Sequence, residues 1–201
     1  MTETQENRGV HARMRSRLIH GSSKTRRWEY DHHIIPPISS SSAYRLDSLE
    51  RGSMGFLQFA RDPEDLKRHF PIYIYDRLDE PTRGMLEENL AYAENGEVAV
   101  TFASGMAAIS AALGITATTG QQIITHNVLY GCTYSLLRNW YPRYNIDVKM
   151  VDLGRADVLR DVLSDNTRVV YFETPVNPTM KVIDIEAIRE IVDNANAKRT
   201  G

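Results

Sequence analysis

From Glu97 to Ala195 the sequence alternates short strand-like and helix-like patterns, and this constrains the fold more than any other feature. Glu97–Phe102 alternates, with Val98, Val100 and Phe102 apolar, which predicts a strand. Ser104 opens a helix of small residues through Leu113, with Gly114 at its end. Gln122–Thr125 reads as a short strand. A helix follows from about Cys132 to Trp140, and Pro142 bars a long continuation. Asp147–Val151 predicts a strand, Ala156–Leu163 a helix, and Arg168–Phe172 a fourth strand rich in valine and aromatic residues. Ile185, Ile188, Ile191, Val192 and Ala195 then share one helical face. Strands and helices alternating at this spacing predict βαβ units, a mostly parallel sheet and right-handed crossovers, an α/β fold. The last helix runs out near Lys198 with no strand after it, so the sheet is expected to be incomplete and the chain truncated.

Upstream the pattern changes. Thr82 can cap a helix through Ala93, ended by Asn95-Gly96. Residues 1–80 show little periodicity and contain the run Pro36-Pro37-Ile38-Ser39-Ser40-Ser41-Ser42. This predicts an extended N-terminal arm, with short helices around Leu46–Gly52 and Pro63–Arg68, followed by a partial domain over 81–201. An arm this long cannot bury itself, so it is expected to pack on its own domain or on a neighbouring subunit.

Composition narrows the partners. A formal net charge of −2 gives no basic field for nucleic acid. No apolar run approaches the roughly 20 residues that span a bilayer. The polar start lacks the apolar segment of a signal peptide, and a single cysteine suits a reducing compartment, so the cytoplasm is the expected location. His32-His33 are adjacent and point apart, a poor metal pair, and no metal site is expected.

Four short stretches carry potential chemistry. Ser104-Gly105-Met106 lies at a strand-to-helix junction, where free amides, the helix dipole and the Ser104 hydroxyl would favour a phosphate; the same residues also suit an ordinary capped helix. In Tyr75-Asp76-Arg77, the tyrosine and arginine lie on one side of an extended segment and can both donate to phosphate oxygens, or can simply be surface residues. Tyr130-Gly131-Cys132-Thr133 follows a strand, where Tyr130 can stack on a flat ring or fill the core. Glu173-Thr174-Pro175-Val176-Asn177-Pro178 ends a strand with two prolines that fix the direction of Asn177, or forms a plain turn.

Taken in order and spacing, these stretches resemble the Cys/Met-metabolism family of pyridoxal-phosphate enzymes, from about Arg17 to the end of the chain. That family includes methionine γ-lyase, cystathionine lyases, cystathionine γ-synthase and O-acetylhomoserine sulfhydrylase. The resemblance implies a type I aminotransferase-like fold and pyridoxal 5′-phosphate as cofactor. It also implies a homo-oligomer, a dimer of dimers, acting on an amino-acid substrate. By the same resemblance Gly105 and Met106 offer amides to the cofactor phosphate beside Ser104. Tyr75 and Arg77 reach the phosphate of the partner subunit. Tyr130 stacks on the ring and assists proton transfer, Asn177 bonds the ring's phenolic oxygen, and Glu173 supports that region. Cys132 stands where many members have glycine but where methionine γ-lyases are similar, which makes it a substrate-side residue and tilts the reading toward γ-elimination.

The family commonly reads Tyr-Ser-Arg and Asn-Pro-Thr where this chain has Asp76 and Glu80, two added acids near a phosphate. The resemblance places the ring-nitrogen aspartate, the Schiff-base lysine and the substrate-carboxylate arginine beyond Gly201. Lys24, Lys67, Lys149, Lys181 and Lys198 lack that lysine's context. The reading is therefore a sulfur amino-acid γ-elimination enzyme, with γ-replacement as the first alternative. A catalytically inert fragment or assembly partner is the second.

Overall fold

A computed structural model describes residues 38–59 and 72–199. The helix expected around Pro63–Arg68, and His32 and His33, lie outside the described residues. The chain divides into two compact units at Thr101/Phe102.

In the first unit α1 spans Leu49–Phe59. It starts later than the sequence suggests because Asp47 takes a left-handed backbone, φ 60°, which a right-handed helix cannot include. Ser48 Oγ then accepts from Arg51 N at 3.1 Å and opens the helix. Gly55 is buried here, and a Cβ on it would press on Ile72 at 3.0 Å and Ile74 at 3.2 Å. Ala43 and Tyr75 form an antiparallel bridge.

The second helix, α2 (Pro81–Glu94), is capped by Glu80 and not by Thr82. Pro81 occupies the first helical position, where its missing N–H costs nothing, and this places the cap at residue 80. The Glu80 carboxylate accepts from Thr82 N at 3.0 Å and Arg83 N at 2.6 Å. Thr82 Oγ1 accepts instead from Ser39 N at 2.9 Å. Asn95 ends the helix in the left-handed region, as its Asn-Gly pair predicts.

Residues 97–102 form no strand among the described residues. Val98, Val100 and Phe102 are 76%, 64% and 45% exposed. Alternation marks an apolar face, but a strand also needs a neighbour to share its ladder. Thr101 instead donates both its N and its Oγ1 to Glu87 Oε1, at 2.9 and 2.8 Å.

The second unit holds the predicted sheet. Strands β1 (Gln122–His126), β2 (Asp147–Val151) and β3 (Thr167–Tyr171) are parallel, in the order β2-β1-β3. Every residue of β1 is buried, as expected for the central strand of a sheet covered on both faces. Ile123 enters a core with Leu113, Leu129, Leu137 and Ile146. Ile124, pointing the opposite way, enters a second core with Leu153, Leu159, Val176, Ile183 and Ile188.

Helix α3 (Gly105–Thr116) runs straight through Gly114, which was expected to end it. A Cβ there would meet nothing within 4 Å. An exposed helical glycine costs only about 1 kcal/mol, too little to stop a packed helix. The next helix begins as α4 (Gly131–Ser135), widens into a π turn over Leu136–Trp140 and tightens to 3₁₀ over Tyr141–Tyr144. These changes of pitch carry the chain past Pro142, which regular α geometry would exclude. After β2 comes α5 (Val158–Val162), shorter than predicted. The last helix is α6 (Ile185–Arg199), with Ile188 and Ile191 buried and Ile185 exposed at its first turn.

Candidate functional site

The β1 and β3 strands end at the same side of the sheet, the side on which parallel α/β proteins bind ligands. The four stretches read from the sequence divide between the two units: three fall in the second.

At the start of α3, Ser104 Oγ accepts from Ala107 N at 3.1 Å and Ser104 O accepts from Ala108 N at 3.1 Å. The amides of Gly105 and Met106 are left without a partner among the described residues. A helix N-terminus with two free donors attracts an anion. The space before it is open, since a Cβ on Gly105 would meet nothing within 4 Å.

Tyr130 immediately precedes α4 and is 45% exposed. Its backbone N–H is held by the Glu173 carboxylate, at 3.2 and 3.1 Å to the two oxygens. Glu173 thus acts on the loop that carries Tyr130. The Cys132 thiol lies 3.5 Å from the Tyr130 hydroxyl. The hydrogen bond with Cys132 is the main cause that holds the phenol above its ordinary value. Tyr130 therefore keeps its proton at neutral pH.

Thr133, one turn of chain further, is fully buried and lies 3.6 Å from the Met106 sulfur. This contact sets the helix that follows Tyr130 against the first turn of α3. The predicted ring-stacking and phosphate-binding residues are brought together by it.

Asn177 lies in an exposed loop between two cis peptide bonds, Thr174–Pro175 and Asn177–Pro178. The loop is anchored beneath by Val176, which is fully buried and exchanges backbone bonds with Lys181 O (2.8 Å) and Met180 N (2.6 Å). Thr174 Oγ1 accepts from Ile183 N at 3.1 Å.

In the first unit, Arg77 donates to the Tyr75 hydroxyl, and its guanidinium lies 5.0 Å from the centre of the Tyr75 ring. The pair converges, but through a turn over Asp76–Leu78, closed by Leu78 N donating to Tyr75 O at 3.0 Å, and not along the extended segment the sequence suggests. Asp76 turns away to Arg83, with Nη1 at 3.2 Å from its carboxylate and Nη2 at 2.8 Å from its carbonyl oxygen. Glu80 is spent on capping α2. Both added acids are therefore occupied.

The sequence reading missed His126. It ends β1 with 1% exposure, and its Nδ1 accepts from Leu153 N at 3.1 Å. Asp152 lies 3.8 Å from that nitrogen and pairs with Lys181 Nζ at 2.7 Å. A single histidine at the end of a strand has no spacing signature, and only the β1–β2 register reveals its partners. The ion pair also commits Lys181, and it draws the Asp152 carboxyl below its ordinary value.

Burial lowers the His126 pKa below 6.5, against the opposing pull of Asp152, while Lys181 pushes the same way as burial. The unfolded chain then takes up this proton more readily than the folded one. Stability from neutral His126 is complete above pH 6.5 and is lost as pH falls below that value. Urea midpoints measured across this range should fall on acidification. The slope should flatten in His126→Asn, whose amide oxygen can take over the bond from Leu153 N.

Among the described residues no helix is long and apolar enough to cross a membrane. Nor, among the described residues, is any cluster of three or more His, Cys, Asp or Glu placed to hold a metal ion.

Comparison with known proteins places this arrangement. The family model for Cys/Met metabolism PLP-dependent enzymes matches residues 15–199. An L-methionine gamma-lyase of Fusobacterium nucleatum subsp. polymorphum is 39% identical over 158 residues, 79% of this chain and 38% of that protein. A cystathionine gamma-synthase/O-acetylhomoserine (thiol)-lyase of Bacillus subtilis is 38% identical over 117 residues, 58% of this chain and 31% of that protein. A Campylobacter jejuni crystal structure, described as an O-acetylhomoserine (thiol)-lyase with N′-pyridoxyl-lysine-5′-monophosphate, superposes with a TM-score of 0.74 at 28% identity. That match covers 91% of this chain and 42% of the other. The chain thus spans between about a third and two fifths of the length of these relatives, and within that span it has the α/β fold of the solved one. By sequence and by fold, the chain belongs to the Cys/Met metabolism family of PLP-dependent enzymes.

Proposed function

We propose that the chain supplies the phosphate- and ring-holding part of a pyridoxal-phosphate-dependent enzyme that eliminates a thiol from methionine or a similar sulfur amino acid. The observation that carries this reading is the Thr133–Met106 contact, which sets the Tyr130 loop beside the free amides of Gly105 and Met106. These residues fit the cofactor: two unpartnered N–H donors face open space for a phosphate, and an exposed aromatic ring stands nearby. When bound, the cofactor supplies an electron sink for a carbanion at the substrate Cα.

The chain's own residues hold and orient. Gly105 and Met106 donate to the phosphate, while Ser104 keeps the turn in place by capping Ala107. Tyr130 lies on the ring and, being protonated at neutral pH, serves as a proton donor. Glu173 keeps Tyr130 in position through its backbone N–H. Asn177 bonds the phenolic oxygen of the ring. Cys132, exposed beside Tyr130, faces the substrate. Residues 1–80 form the arm, through which Tyr75 and Arg77 reach the phosphate of a second subunit, and 81–201 form the cofactor domain. Their convergence in the first unit supports this role. A cytoplasmic homo-oligomer is the setting for this chemistry.

The name of the Bacillus subtilis relative supports a second reading, γ-replacement on an activated homoserine. Incubation with pyridoxal 5′-phosphate and each substrate separates the readings. Thiol and α-keto acid released in equal amounts from methionine indicate elimination. Thiol consumed with an activated homoserine indicates replacement. Neither activity in a protein that retains the cofactor indicates a catalytically inert chain that serves as an assembly partner.

A further inference from the structure

Between the phosphate turn and the ring-stacking tyrosine lies a buried hydroxyl to which no chemical role has been given. Thr133 Oγ1 lies 3.6 Å from Met106 Sδ, and the hydroxyl lowers the phenol of Tyr171, the last residue of β3, against burial. A thioether has no proton to give, so Thr133 donates to Met106. Two residues after Tyr171, Glu173 holds Tyr130 N. The start of α4 is thus tied to the segment after β3 through Glu173 and to the first turn of α3 through Thr133.

We propose that Thr133 is a positioning residue, which holds the Met106 turn in line for a phosphate monoester while fixing the Tyr130 loop against it. This rests on the reading of the site as a pyridoxal-phosphate cradle. Methionine is unbranched and conformationally loose, so without a partner for its sulfur the first turn of α3 has a weaker hold on α4. Thr133 is fully buried, so no water can replace its hydroxyl without repacking.

The test uses the full chain and two probes, pyridoxal 5′-phosphate and pyridoxal, which lacks the phosphate. Thr133→Val removes the hydroxyl with little change of shape, and Thr133→Ser keeps it. The valine variant should bind pyridoxal 5′-phosphate about five- to tenfold more weakly, as for loss of roughly one hydrogen bond. Its preference for the phosphorylated probe should shrink, and the serine variant should recover it. Burial and the Glu173 charge raise the Tyr171 phenol while Thr133 lowers it. Ultraviolet titration should therefore find this phenol higher still in the valine variant.

Met106→Leu removes the acceptor at similar volume and should show the same weakening. The double variant should lose no more than either single one. This second route keeps the test decisive where Thr133→Val folds poorly. Unchanged binding in both single variants would overturn the positioning role, as would a serine variant as weak as the valine one. A wild-type chain that binds both probes equally fails earlier, because it removes the phosphate site itself.

Discussion

Ile124→Ala should destabilise the second unit by about 2–5 kcal/mol, read from urea or thermal unfolding. Ile124 is fully buried on the central strand, in the core formed with Leu153, Leu159, Val176, Ile183 and Ile188. The alanine removes transfer energy and leaves a cavity that strands on both sides prevent from collapsing. Domains of ordinary stability have only about 5–15 kcal/mol in hand, so the loss is a large share of the whole. Ile123→Ala should cost a similar amount through the other core, where Leu113, Leu137 and Ile146 surround it. Val98→Ala is the control: the same kind of truncation at a residue that is 76% exposed should stay within about 0.5 kcal/mol. A Val98 effect as large as that of Ile124 would mean that residues 97–102 are buried in a way this fold does not show.

The second large effect concerns the cofactor. Arg77→Ala should weaken retention of pyridoxal 5′-phosphate in the assembled protein by about 1.5–3 kcal/mol, the worth of a hydrogen bond to a charged group. That is roughly a ten- to 150-fold rise in the dissociation constant. The side chain is exposed and stacked near Tyr75, so its removal leaves no buried group unpaired and should not unfold the chain. Arg77→Lys should fall between, since an ammonium keeps the charge but loses the planar fork. Asp76 does not oppose the arginine's role, because Arg83 neutralises it. Equal cofactor retention in wild type and Arg77→Ala would remove Tyr75 and Arg77 from the site.

Much of the sheet was legible because Ile123-Ile124 and Val169-Val170 are short β-branched pairs and Asp147–Met150 alternates polar and apolar residues. Gln122–His126, Asp147–Val151 and Thr167–Tyr171 fall within a residue of their sequence-based limits. Glu97–Phe102 was misread because alternation describes a face and says nothing of a hydrogen-bonded neighbour. Thr82 was taken as the cap because threonine is the commoner choice; Pro81 at the first helical position moved that role to Glu80. Gly114 failed as a stop because an exposed helical glycine costs only about 1 kcal/mol, less than the packing of Ile109 and Leu113 before it supplies.

The candidate site was legible for a different reason. Its motifs carry functional groups in a fixed order, and the fold brings Ser104-Gly105-Met106 and Tyr130-Gly131-Cys132-Thr133 together through a contact of 3.6 Å. What the sequence could not display were links between residues far apart in the chain. Glu173 holding Tyr130 N, Thr133 donating to Met106, and His126 accepting from Leu153 all depend on strand register and helix docking.

The central claim is that α3 and the Tyr130 loop form one cradle for a phosphorylated ring. A crystal structure of the protein grown with excess pyridoxal 5′-phosphate tests it most directly. The phosphate should sit on the amides of Gly105 and Met106, with the ring against Tyr130. A phosphate bound elsewhere, for example in the groove lined by Arg160, Arg168 and Lys198, or a ring away from Tyr130, would contradict it.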